Sequence, residues 1–137
     1  EGGVGARGRA GEAGTCASGR AAKSATLSAL GTARNRKHVV GGRPLYGGSD
    51  HLLAGGLLGT ETTFCAPDEV AQSIRPDTGL IIVETPANPT MDIVDLKAVC
   101  EIARARGIVT VVDNAFATPA LQRPLEFGAD VVAYSAT

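Results

Sequence analysis

Residues 79–137 read GLIIVETPANPTMDIVDLKAVCEIARARGIVTVVDNAFATPALQRPLEFGADVVAYSAT, and this stretch decides the fold. Leu80–Val83 is a short apolar run stopped by Glu84-Thr85-Pro86, the pattern of a strand buried on both faces. Over Asp92–Arg106, Leu96, Val99, Cys100 and Ala103 fall on one helical face, while Lys97 and Glu101 fall on another. Asp92 and Asp95 stand where a helix N-terminus favours carboxylates, and Gly107 supplies the stop. Ile108–Val112 is a second buried strand, ended by Asp113-Asn114. Pro119–Phe127 reads as a short helix despite Pro124, and Val131–Tyr134 as a third strand. Strand, helix, strand, helix, strand predicts a parallel sheet with crossovers, an α/β domain.

Working outward, the first half follows the same grammar with weaker signals. Ser18–Leu30 is a helix with Ser18 as its cap, Val39-Val40 a strand core, Tyr46–Leu58 a glycine-weakened helix, and Thr62–Cys65 another strand. The polar, basic segment Gly31–Lys37 (GTARNRK) stands where a tight helix-to-strand turn is expected. Fifteen of the 18 glycines lie in residues 1–59, and Glu1–Gly14 has no large apolar residue beyond Val4, so residues 1–15 are expected to be loose. Residues 16–137 are expected to form the domain. The charge is divided too: residues 1–45 carry +6 and the remainder −7, which together make the net −1.

Composition excludes several classes. With 137 residues, 44% of them hydrophobic, the chain can bury a core. The 20% charged residues are balanced in sign, which argues against disorder and against a polyanion-binding tail. No apolar stretch reaches the roughly 18 residues of a membrane span, and no charged-then-apolar leader opens the chain. Aromatic content of 4% without Trp, and arginines on no amphipathic face, speak against nucleic acid. Cys16, Cys65 and Cys100 are odd in number and too far apart for a metal knuckle, so a reduced, cytoplasmic protein is expected.

Ligands of open parallel sheets bind beyond the carboxyl ends of the strands. The three clear strands each deliver polar residues there: Asn88 within Glu84–Thr90, then Asp113 and Asn114, then Ser135 and Thr137. Each taken singly is as readily a turn former, because Asn, Asp, Ser and Thr favour turns. All three ends together suit a ligand that carries a basic nitrogen and an anionic group. Ser18-Gly19-Arg20, opening a helix, offers backbone N–H groups to a phosphate, although serine and glycine also cap helices of no such function. Gly3, Gly5 and Gly8 match G-x-G-x-x-G, but no strand precedes them and no suitably placed acid follows, so the match is discarded. His38 and His51 have no spacing for a metal or a triad; His38 reads as a structural flank of its strand. The cysteines read as small core residues, with Cys16 in a loop.

Glu84–Thr90 (ETPANPT), Val111–Pro119 (VVDNAFATP), Leu121–Leu125 (LQRPL) and Gly128–Thr137 (GADVVAYSAT) together resemble the Cys/Met-metabolism family of pyridoxal-phosphate (PLP) enzymes. Ala17–Ala22 (ASGRAA) and Arg43–Gly48 (RPLYGG) resemble the same family, in the same order. The likeness is dense from Ile74 to Thr137 and patchy before it. It implies the aspartate-aminotransferase fold, a three-layer α/β/α arrangement with a mostly parallel sheet, of which this chain is part of the large domain. Met91–Val112 and the VVAYSAT ending most resemble the O-succinylhomoserine sulfhydrylase branch, which replaces succinate by sulfide at Cγ to give homocysteine. Cystathionine γ-synthases and lyases, methionine γ-lyase and a non-catalytic remnant are the alternatives.

The resemblance assigns roles residue by residue. Asp113 pairs with the ring nitrogen of PLP, which keeps it protonated and the ring electron-poor. Ser135, Thr137 and Ser18, with the backbone amides of Gly19 and Arg20, hold the phosphate, and Asn88 bonds the ring hydroxyl. Tyr46 stacks on the ring and assists proton transfer to the leaving group. The resemblance further implies a small amino-acid substrate and a parent enzyme that is a homotetramer built from dimers, and no nucleic-acid or membrane partner and no metal are expected. The family's Schiff-base lysine follows the S-A-T motif, where this chain stops, so the chain alone is expected to be an inactive fragment. The Tyr/Arg pair lent by a neighbouring subunit and the C-terminal arginine for the substrate carboxylate are likewise absent. Arg20 replaces the family's usual methionine.

Overall fold

The computed structural model describes residues 2–6, 13–16, 36–56 and 59–135. The strands are β1 (Gly2–Ala6), β2 (Ala13–Cys16), β3 (His38–Gly42), β4 (Glu61–Cys65), β5 (Thr78–Glu84), β6 (Val109–Asp113) and β7 (Val131–Ser135). The helices are α1 (Gly47–Ala54), α2 (Val70–Ser73, after a 3-10 turn at Pro67–Glu69), α3 (Leu96–Ala105), α4 (Thr118–Leu121) and α5 (Pro124–Phe127). Among the described residues, these seven strands make one sheet in the order β2-β1-β7-β6-β5-β3-β4. The pairs from β4 to β7 are parallel, and β1 joins β7 and β2 antiparallel. The expected α/β fold with a mostly parallel sheet is present.

Two apolar clusters show why β5 is the axis of the fold. Every residue of β5 is buried. Ile81 and Val83 point into one cluster with Val40, Val112 and Val132, closed by Leu96, Val99, Cys100 and Ala103 of α3 and Val70 of α2. Leu80 and Ile82 point into the other, with Val39, Val111 and Val131, closed by Leu53 of α1. Alternate residues of one strand therefore feed opposite layers, and the run LIIV is apolar throughout for that reason.

The termini of α3 follow local chemistry. Asp95 caps it, accepting a hydrogen bond from Ala98 N at 3.0 Å. Asp92, expected inside the helix, accepts instead from the Thr90 hydroxyl, while Val94 N donates to Thr85 Oγ1 at 3.0 Å. The helix thus begins later than its charges suggest. Gly107, at φ +64°, takes the left-handed turn that ends it.

Three expectations need correction. The single helix over Pro119–Phe127 is two short ones, with Gln122 and Arg123 in extended or irregular backbone between them. Pro124 has no N–H to donate, and its ring drives the preceding residue out of the helical region. Tyr46–Leu58 is helical only over Gly47–Ala54; Gly56 turns out at φ +62°, and 57–58 lie outside the described residues. Residues 1–15 are expected to be loose and Cys16 to lie in a loop, yet Gly2–Ala6 and Ala13–Cys16 are strands. Pairing with β7 needs only backbone donors and acceptors, so poverty in apolar side chains does not prevent it. The expected helix Ser18–Leu30 lies outside the described residues.

His38, at the start of β3, is fully buried. Its Nδ1 lies 2.6 Å from Thr78 Oγ1 and its Nε2 lies 2.9 Å from Thr63 Oγ1. Thr78 Oγ1 also accepts from Arg75 N at 2.8 Å, so its own hydrogen can go to a neutral imidazole. Burial lowers the His38 pKa below 6.5 and Arg75 lowers it further, against the opposing pull of Asp77 and Glu61. The unfolded chain therefore takes up a proton that the folded chain refuses. The His38 contribution to stability is full above its ordinary value and is lost as pH falls from there toward the lowered one. We expect stability to decline between about pH 7 and pH 5, and a His38→Gln variant to show a flatter profile, as read by urea unfolding across that range.

Candidate functional site

The carboxyl ends of β5, β6 and β7 open on one cavity of about 360 Å³. Its lining includes Tyr46, Asn88, Asp113 and Ser135, four residues singled out in the sequence. Ser18, Gly19, Arg20 and Thr137 lie outside the described residues. Ser49, Glu84, Phe116 and Tyr134 also line the cavity and were not singled out.

Each side chain is delivered by a strand end or the loop after it. Asp113 closes β6 and is 3% exposed; its Oδ1 accepts from Ala115 N at 3.2 Å. Next to it, Asn114 is fully buried and donates through Nδ2 to Gln122 O at 2.9 Å. Gln122 Nε2 returns a bond to Asn114 Oδ1 and another to Thr85 O, both at 2.8 Å. This amide clasp joins the ends of β5 and β6 and leaves the Asp113 carboxylate on a rigid base. Ser135 ends β7 on the exposed side of the cavity.

Tyr46 precedes α1, and its carbonyl accepts from Ser49 N at 2.8 Å and Asp50 N at 3.0 Å. The ring lies against Gly48, where an added Cβ would come 2.8 Å from Tyr46 Cε1. Glycine is needed there so that the ring can take this position. The loop before Tyr46 is held by Arg43, which bonds Asp50 through Nε at 2.7 Å and Nη2 at 3.0 Å, and lies 3.9 Å over the Phe64 ring.

Glu84 is the residue that sequence reading treated as a strand stop. It is 5% exposed and faces Asp113 across the β5–β6 register. Tyr46 N and Asn88 N both donate to its carboxylate, the latter at 3.1 Å. The available signal was a carboxylate at the end of a buried strand, the same signal that marked Asp113. Cys65 is partly buried, and burial pushes its thiol pKa up, in keeping with a small packing residue. Among the described residues no group of His, Cys, Asp and Glu is arranged to hold a metal ion.

A buried carboxylate, an amide, a hydroxyl and an aromatic ring thus meet at the carboxyl edge of the parallel sheet of an α/β domain, the place where ligands of such sheets bind. The family described as Cys/Met metabolism PLP-dependent enzyme matches residues 4–137, and the chain belongs to it. An L-methionine gamma-lyase of Brevibacterium sandarakinum is 52% identical over 126 residues, 92% of this chain and 31% of that protein. Another, from Streptomyces avermitilis, is 56% identical over 122 residues, 88% of this chain and 29% of that protein. The crystal structure of a putative O-acetylhomoserine (thiol)-lyase of Campylobacter jejuni, which holds a pyridoxyl-lysine group, superposes with a TM-score of 0.77. It is 31% identical and covers 87% of this chain, which covers 30% of it. The chain thus spans about 30% of the length of these relatives.

Proposed function

We propose that this chain is the cofactor-holding part of a PLP-dependent enzyme that labilises the γ-substituent of a small amino acid. One observation carries the reading: Tyr46, Asn88, Asp113 and Ser135, from separate stretches of sequence, line a single cavity. Their chemistry suits PLP group by group. The Asp113 carboxylate, with one oxygen held by Ala115 N–H, has its negative charge to hold a proton on the pyridine nitrogen. Asn88 would bond the ring hydroxyl. Ser135, with Thr137, Ser18 and the amides of Gly19 and Arg20, would take the phosphate. Tyr46 would stack on the ring and pass a proton to the departing group. Bound PLP supplies an electron sink for charge that develops on the substrate carbon.

Elimination is the favoured outcome, because the relatives above 50% identity carry the name L-methionine gamma-lyase. Replacement, as expected for the sulfhydrylase branch, is the second reading, and the likeness to the thiol-lyase structure favours it. A cytoplasmic setting belongs to this proposal. A homotetramer of dimers is part of the same proposal, in keeping with the exposed Phe116, Leu121 and Phe127.

The test uses the whole protein loaded with PLP. We expect L-methionine, with water and no second substrate, to yield a thiol, a 2-oxo acid and ammonia. Homocysteine formed only from an O-acylhomoserine and sulfide would instead select the replacement reading. Neither product, in a protein that is folded and has been offered PLP, would overturn both.

A further inference from the structure

Glu84 ends β5, a strand buried at every residue, and is itself withdrawn from water. A buried carboxylate must be compensated by hydrogen bonds. Part of its compensation comes from two separate segments: Tyr46 N, ahead of α1, donates to Oε2, and Asn88 N, in the loop after β5, donates to Oε1 at 3.1 Å. Tyr46 and Asn88 are 42 positions apart in the chain and both line the cavity. Strand register places Glu84 beside Asp113.

We infer that Glu84 is a positioning residue whose two carboxylate oxygens clamp the backbone at Tyr46 and at Asn88, and so set both side chains relative to Asp113. The acceptor count explains why a carboxylate stands there. Two backbone N–H groups arriving from different directions need an acceptor on each terminal atom, and only an ionised carboxylate has one on both. A glutamine would turn its NH₂ toward one of the two N–H groups. The negative charge also strengthens both bonds. A residue that merely ended the strand would need neither feature.

The inference rests on the proposed function for what the two side chains meet, while the clamp consists of this chain's own atoms. Two measurements on the whole protein test it. In the unmodified protein, the amides of Tyr46 and Asn88 are expected to exchange slowly with deuterium, as do the strand amides of β5; rapid exchange at either would overturn the clamp. Glu84→Gln, loaded with PLP, is expected to retain the cofactor while its kcat/KM falls about 100-fold, in line with misplacement of about an ångström. The circular dichroism of its bound PLP should weaken as well. A role in folding alone would lower Tm and leave kcat/KM and the cofactor signal of the folded fraction unchanged, and that result would also overturn the inference. Should the variant not fold, amide exchange decides. If the unmodified protein binds no PLP, the functional reading fails, and slow exchange at both amides still reports the clamp.

Discussion

Asp113→Asn in the whole protein is expected to lower kcat/KM by about 100-fold or more, with PLP still bound. The magnitude is that of removing one preorganised charge or donor from a site where charge develops. The substitution is chosen because it changes little else. Asp113 Oδ1 accepts from Ala115 N, and the amide oxygen of asparagine can keep that bond. The side chain is buried at the end of β6, so no bulk solvent compensates for the missing charge. On the proposed reading, what goes is the negative charge that would hold a proton on the ring nitrogen of PLP. The residues proposed for the phosphate are unchanged, so cofactor content should change less than turnover. If Asp113 were only a turn former, Asn would serve nearly as well, because both residues favour such positions. Turnover within about threefold of the unmodified protein, with PLP bound, would remove Asp113 from the proposed site.

A second large effect is expected at the centre of the sheet. Ile81→Ala should destabilise the protein by about 2–5 kcal/mol, the range for truncating a fully buried aliphatic side chain. Ile81 is completely buried in β5 and packs among Val40, Val99, Val112 and Val132, which come from three other strands and α3. Few of these neighbours can move to fill the space, because β5 has a strand on each side and a layer over each face. Lys97→Ala, on the exposed face of α3, should change stability by no more than about 0.5 kcal/mol. Urea unfolding would compare the two. A loss below about 1 kcal/mol for Ile81→Ala would place that side chain outside the core.

The core of the fold was legible because burial leaves a periodic mark. The run LIIV at Leu80–Val83 is apolar at every position, and such a run demands cover on both faces. The spacing of Leu96, Val99, Cys100 and Ala103 marks the face that α3 turns to the sheet. Strand ends were legible for the same reason: an apolar run stops where a polar residue is needed, and Asn88, Asp113 and Ser135 follow such stops. Elements that join the sheet by backbone pairing without an apolar run left no such mark. Gly2–Ala6 enters the sheet between β2 and β7 by strand pairing, which no side-chain pattern announces. The helix Val70–Ser73 was missed because its four residues are too few to show a period.

The amino-acid sequence by itself determined the α/β class, the strands that supply the site, and the PLP-dependent family, since these rest on local apolar runs and on short motifs. Tertiary structure decided which residues meet. Tyr46 reaches the cavity from β3's side of the sheet, Asn88 from the loop after β5, and Ser135 from β7. The strand order that brings them together is not the chain order. It also decided that Glu84, which reads as punctuation, has its carboxylate between two of those segments. A carboxylate's role depends on which donors surround it, and donors contributed by distant backbone have no sequence signature, because every residue except proline carries the same N–H.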